Sequence, residues 1–200
     1  MDKIDICNMA LSRLGVETIE SLNEASEPAR VCRQFYDHTR RNILRRFNWT
    51  FAIRRVHLAE LSTKPENYLH SYRYPSDCLF LKSINTSDYD NIPAYTGWML
   101  ASDESGRLIY TDVEKASAEY VADIEDCSLF DEQFADILAW KLAADMAFKL
   151  TGNMQVAQMA DQQYNALYLE AAANSEDEQN IKAADPYTFA GARSSGLGGD

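Results

Sequence analysis

The hydrophobic period of this chain changes twice, from a helical repeat of about 3.6 residues to a strand repeat of about 2 near Asn48, and back near Asp126. A chain patterned this way builds helices from its two ends and places sheet between them. The fold class expected is therefore α+β, mainly α: an antiparallel helix bundle from residues 1–47 and 127–173, with an antiparallel β meander inserted over 48–126.

Local signals bound each segment. Ile4, Cys7, Leu11 and Leu14 recur at helical spacing, and Gly15 follows where a helix end favours positive φ, predicting a first helix over 2–14. Ser26 can cap a second helix, with Glu27 at the positive end of the dipole and Pro28 in the first turn, running to about Phe47. Asp131 can cap a third, with Phe134, Ile137, Leu138, Leu142 and Met146 on one face and Ala135, Ala139, Ala143 and Ala147 on its neighbour. Thr151-Gly152-Asn153 breaks it. The last helix is expected to carry Val156, Met159, Ala160, Gln163 and Leu167 in register and to fade near Asn174.

Within 48–126, Tyr68, His70, Tyr72 and Tyr74 alternate, Pro75-Ser76-Asp77 marks a turn, and Cys78 to Ile84 reads as a strand. Trp98 to Ala101 and Arg107 to Tyr110 flank Asp103-Glu104-Ser105-Gly106 as a hairpin, and residues 116–124 alternate once more. Trp49 and Phe51 are expected to be buried where the sheet segment meets the helices.

Composition narrows the function. At 46% hydrophobic and 25% charged, the chain is neither collagen-like, wholly disordered nor coiled coil. No apolar run approaches the roughly 20 residues of a membrane span, and the amino terminus has no export signal, so a cytosolic site of synthesis and no membrane partner are expected. Cys7, Cys32, Cys78 and Cys127 are far apart, with no CxxC pair, and read as small buried hydrophobes. His38, His57 and His70 form no HExxH, no glycine-rich phosphate loop occurs, and the acidic runs Asp88-Tyr89-Asp90 and Asp123-Ile124-Glu125-Asp126 read as solvated charge. No catalytic residue, metal or cofactor is expected.

Charge is the most uneven property. Eight arginines lie between Arg30 and Arg55 against the single acid Asp37, a local +7 on a chain of net charge -12. On the second helix, Cys32, Phe35, Tyr36, Ile43 and Phe47 are expected to form the apolar face, and Arg30, Arg33, Arg40, Arg41 and Arg45 the opposite one, with Arg46 alone on the apolar side. That arginine face is open to three readings: a solvated helix face, a contact for acidic partner surfaces, or a DNA-facing stripe. The tyrosines read mainly as cross-strand and half-buried rings rather than a stacking surface. Residues 174–200 hold four of the eight glycines, an acidic Glu176-Asp177-Glu178 run, and only Ile181, Tyr187, Phe189 and Leu197 as large apolar residues. Such a segment builds no core and reads as an extended C-terminal arm, which at full extension would span about 90 Å.

Ile6-Cys7-Asn8-Met9-Ala10-Leu11-Ser12-Arg13-Leu14-Gly15, a loop, and an arginine-rich helix ending in Phe47-Asn48-Trp49-Thr50-Phe51-Ala52 resemble the opening of the tail tubular protein A family, the head-to-tail adaptors or gatekeepers of short-tailed bacteriophages. Arg107-Leu108-Ile109-Tyr110-Thr111-Asp112, Phe134-Ala135-Asp136-Ile137-Leu138-Ala139 and Leu150-Thr151-Gly152-Asn153 continue the likeness, over residues 4 to about 170. The resemblance implies a structural protein of the virion's head-tail junction, a dodecameric ring between the portal protein and the tail nozzle protein, through which DNA passes without tight binding. It also implies a C-terminal arm that embraces neighbouring subunits or the portal; Tyr187, Phe189 and Leu197 of the arm segment and, from the local charge pattern, Arg30, Arg33, Arg40, Arg41 and Arg45 are the candidate partner contacts. The rival readings are a small acidic enzyme with paired carboxylates in the β insertion, and a nucleic-acid-binding module using the arginine helix.

Overall fold

The computed structural model describes residues 1–63, 65–86 and 97–183, with backbone alone at 86 and 174–183. Among these residues four helices and two antiparallel sheets form an α+β fold. Helix α1 (Lys3–Arg13) starts from a reciprocal capping box: the Asp2 carboxylate accepts from the Ile4 and Asp5 amides, and the Asp5 carboxylate accepts from the Asp2 amide. Helix α2 (Glu27–Arg46) is capped by Ser26, and α3 (Glu132–Thr151) by Asp131, whose carboxylate accepts from the Phe134 amide at 2.5 Å. Gly152 ends α3 at φ +65°, donating its N–H to the Phe148 carbonyl at 2.9 Å, which is the left-handed cap the sequence requires of a glycine.

Helix α4 (Met154–Ala183) departs from expectation in length and in face. It does not fade near Asn174, so the segment expected as an extended arm from 174 begins as helix; Tyr187, Phe189 and Leu197 lie outside the described residues. Its inward face is Ala160, Tyr164 and Ala171, flanked by Val156, Ala157, Leu167 and Tyr168, while Met159 and Gln163 are exposed. The expected register fails because small residues and Tyr164, rather than the longest apolar side chains, are what fits against the alanine-rich α3.

Among the described residues seven strands lie between α2 and α3: β1 (Ile53–His57), β2 (Glu60–Leu61), β3 (His70–Arg73), β4 (Cys78–Thr86), β5 (Trp98–Asp103), β6 (Gly106–Thr111) and β7 (Ala116–Ala122). They do not form a meander. One sheet has the order β1-β7-β4 and the other β2-β3-β6-β5, all antiparallel. Burial explains the order: β7 (Ala116, Ala118, Tyr120, Val121, Ala122), β6 (Leu108, Ile109, Thr111) and β3 (Ser71, Tyr72) are buried on both faces, and such strands take the centre of a sheet. The hairpin between β5 and β6 forms as its glycine predicts, with Asp103 paired to Gly106.

One continuous apolar cluster links helices and sheets. Trp49 is 3% exposed, its indole N–H donating to the Ile43 carbonyl at 3.2 Å. Its ring meets Phe134 at a centroid distance of 5.0 Å, and the half-buried Phe51 meets Phe130 and Phe134 at 5.6 and 5.1 Å. Cys7, Cys32 and Cys78 are buried and Cys127 is half-buried. The Cys32 thiol lies 3.8 Å from the Met146 sulfur, and the Cys127 thiol 3.2 Å from the Tyr36 hydroxyl.

Candidate functional site

The arginine-rich helix was the sharpest sequence candidate, and the structure divides its members. Arg40 is a correction: it is 1% exposed and faces inward. It stands one helical turn after Tyr36 and just under one turn before Ile43, so its side chain leaves the helix on the apolar side and no partner surface can reach it. Its guanidinium donates to Asp123 at 2.5 Å and to the Ile124 carbonyl, and lies 3.8 Å from Glu125 and 4.0 Å from Asp37. Arg41, half-exposed, takes the other Asp123 oxygen at 2.9 Å.

These contacts also correct the reading of the 123–126 run as solvated charge at Asp123, while Glu125 and Asp126 are exposed as expected. Asp123 is largely buried and clamps two arginines, so it ties the segment after β7 to the middle of α2. Asp126 accepts from the Ser128 amide at 2.9 Å and caps the single helical turn Cys127–Leu129.

The remaining members stay at the surface. Arg30 pairs with Glu27 at 2.7 Å within its own helix, and Arg33 donates to the Leu22 carbonyl in the preceding loop. Arg45 is exposed. Burial pushes the Tyr74 hydroxyl up to about 12, and the positive charge of Arg107 acts against that rise. Arg30 and Arg45 are separated by about 22 Å of helix, at 1.5 Å per residue, so the exposed arginines form a dispersed stripe rather than a pocket.

Arg46 lies toward the apolar side as expected and turns to α4, donating to the Tyr164 hydroxyl at 3.1 Å, while the Tyr168 hydroxyl donates to the Arg46 carbonyl at 3.0 Å. It borders a cleft of about 160 Å³ that sequence reasoning missed, where Thr39, Lys141, Asp145 and Tyr164 also meet. Lys141 pairs with Asp145 at 2.9 Å and Asp161 at 3.5 Å, and Thr39 donates to Asp145 at 2.9 Å. Burial disfavours the charge on Lys141, but the hydrogen bond and charge of Asp145, with Asp161, outweigh it and hold the ammonium above its ordinary value. Lys141, Asp145 and Asp161 thus form one ion cluster between α3 and α4. The signal available in the sequence was the Lys141/Asp145 pair, one turn apart on α3.

The arrangement therefore performs two tasks. Arg40, Arg41 and Asp123 lock helix to sheet, and Arg46, Lys141, Asp145 and Tyr164 lock α2, α3 and α4 together. Arg30, Arg33 and Arg45 remain exposed on α2. Searched against protein-family models and curated proteins, the chain matches none.

Proposed function

We propose that this chain is a structural adaptor of a phage virion, assembling into a ring at the head-tail junction that joins portal protein to tail nozzle and lets DNA pass. The observation that carries the reading is the order of motifs from Ile6-Cys7-Asn8-Met9-Ala10 to Leu150-Thr151-Gly152-Asn153, in the tail tubular protein A pattern. The element order supports it: helices at both ends with sheet inserted between α2 and α3 suit an antiparallel bundle carrying a β domain. In this reading the exposed arginines of α2 meet acidic surfaces of neighbours, the segment beyond α4 serves as the arm with Tyr187, Phe189 and Leu197, and the acidic remainder of the chain lines a conduit that repels DNA. The protein then works without catalysis or cofactor. Inward-facing Arg40 leaves the rival nucleic-acid reading with fewer phosphate contacts.

Sedimentation of the protein with and without purified short-tailed-phage portal rings tests the reading. The expected result is a portal-dependent ring of about twelve copies, the number the resemblance implies, visible in negative-stain images. A protein that stays monomeric with portal, or that binds duplex DNA with a steep salt dependence, refutes it.

A further inference from the structure

A cleft of about 470 Å³ opens where the end of β1, the turn after β3 and the hairpin between β5 and β6 come together. Its walls combine two chemistries: Leu58, Tyr74 and Pro75 are apolar, and Arg73 and Arg107 are cationic. The two arginines differ in what they hold. Arg73 is matched by Asp103 in a two-pronged pair at 3.0 and 3.2 Å.

Arg107 is held in place without being matched. Its guanidinium sits over the Tyr74 ring, 4.1 Å from the centroid, and that ring is itself fixed: it is 7% exposed, and its hydroxyl accepts from the Cys78 thiol at 3.1 Å. Among the described residues the guanidinium makes one long donation, 3.4 Å to the Cys78 carbonyl, and pairs with no carboxylate. A guanidinium carries five N–H donors, so most of those on Arg107 are left for another acceptor while its plane is already oriented. Two arginines against one aspartate leave the walls with one surplus positive charge.

We propose that this cleft is a docking pocket for one glutamate side chain of a partner protein, its carboxylate taken by Arg107 and its methylene stem laid against Leu58, Tyr74 and Pro75. Charge and depth select this occupant. One surplus positive charge matches a carboxylate, whereas the second charge of a phosphate group meets only repulsion, beside Asp103 and on a chain of net charge -12. The rim is open, with His57, Ser105 and Arg107 all exposed, so a free acid would stay in water, where a single ion pair contributes little. A side chain carried by a protein brings neighbours that cover the rim and exclude that water. The inference does not depend on the adaptor reading, since the cleft lies apart from the arginines of α2.

The probe is a nine-residue peptide, capped at both ends, with one central glutamate between leucines and serines elsewhere, titrated into the ¹⁵N-labelled full chain. The Arg107 side-chain Nε–Hε peak, assigned by its loss in Arg107→Gln, and the Gly106 amide peak report on the cleft. Saturable shifts of both are expected, with binding weakened about tenfold when glutamine replaces the glutamate, and by a similar factor, read at Gly106, in Arg107→Gln. N-acetylglutamate amide, the same carboxylate without a chain, should bind more weakly than the peptide. If Arg107→Gln does not fold, the contrast between the two peptides on the parent chain decides. Four results overturn the proposal: no saturable shift; equal binding of the glutamine peptide; free acid binding as tightly as the peptide, which makes the cleft a small-molecule site; or tighter binding of a peptide with phosphoserine in place of the glutamate.

Discussion

Replacing Arg40 by alanine is the most informative single perturbation, because a partner-facing arginine and an internal clamp predict opposite results. At 2.5 Å and an effective dielectric constant of about 20, the attraction between Arg40 and Asp123 is about 6–7 kcal/mol before the cost of taking both ions out of water. Removing one member of such a pair leaves the other uncompensated, at a typical cost of about 3–5 kcal/mol. The lower part of that range applies, since Asp123 is 16% exposed in its side chain and keeps Arg41 at 2.9 Å. For a chain of this size each kcal/mol moves the midpoint by about 2–4 °C, so Arg40→Ala should melt about 6–12 °C below the parent. Asp123→Ala should lose a similar amount, and the double variant less than the sum of the two, because the atoms removed belong to one contact. Arg30→Ala, which breaks only an exposed pair, should cost about 1 kcal/mol at most. Thermal and urea unfolding followed by circular dichroism measures all four. An Arg40→Ala chain melting within about 2 °C of the parent would falsify the inward clamp and return Arg40 to the outer stripe.

Three further outcomes follow from the packing. Trp49→Ala should cost about 3–5 kcal/mol in urea unfolding, since the indole is buried among Phe47, Phe51 and Phe134; an unchanged midpoint would contradict that burial. Gly152→Ala should cost about 1–2 kcal/mol through backbone strain alone, because a Cβ there meets nothing within 4 Å, and a neutral result would place the turn in another conformation. Burial raises the hydroxyl pKa of Tyr36, Tyr72, Tyr74 and Tyr120 above the ordinary value, that of Tyr74 to about 12. Groups raised on folding contribute stability that is complete below the unfolded value near 10 and is lost as pH rises through the folded value, so the midpoint should fall above pH 10. Ultraviolet titration should show these phenols ionising only with unfolding; early ionisation of all eleven tyrosines would refute it.

Helix ends were legible in the sequence because their causes are local. Ser26, Asp131 and Gly152 each act on atoms within one turn, and each sits where the residue pattern put it. Strand order was not legible, since the pairing of β1 with β7 joins residues sixty or more positions apart, and only burial on both faces singles out β7, β6 and β3 as central. Arg40 was misplaced for a different reason. Its position on the helical wheel agrees with Tyr36 and Ile43, but charge suggested solvent, and the compensating Asp123 lies in another segment. Lys141 and Tyr164 escaped notice because neither has a motif; their meeting is a product of α3 packing on α4.

The aromatic group of Phe47, Trp49, Phe51, Phe130 and Phe134 has a topological consequence. The chain leaves the helices through residues 47–52 and returns through 127–134, and these two crossings touch one another, with Trp49 and Phe134 centroids 5.0 Å apart. The inserted segment therefore begins and ends at one doorway. Lengthening or trimming a loop between strands changes only the entropy of a closed excursion, which grows slowly with length, and leaves the spacing of the doorposts untouched. The helices thus hold a fixed frame from which sheets of different size can be hung, and divergence in length is free to accumulate on the sheet side of the doorway.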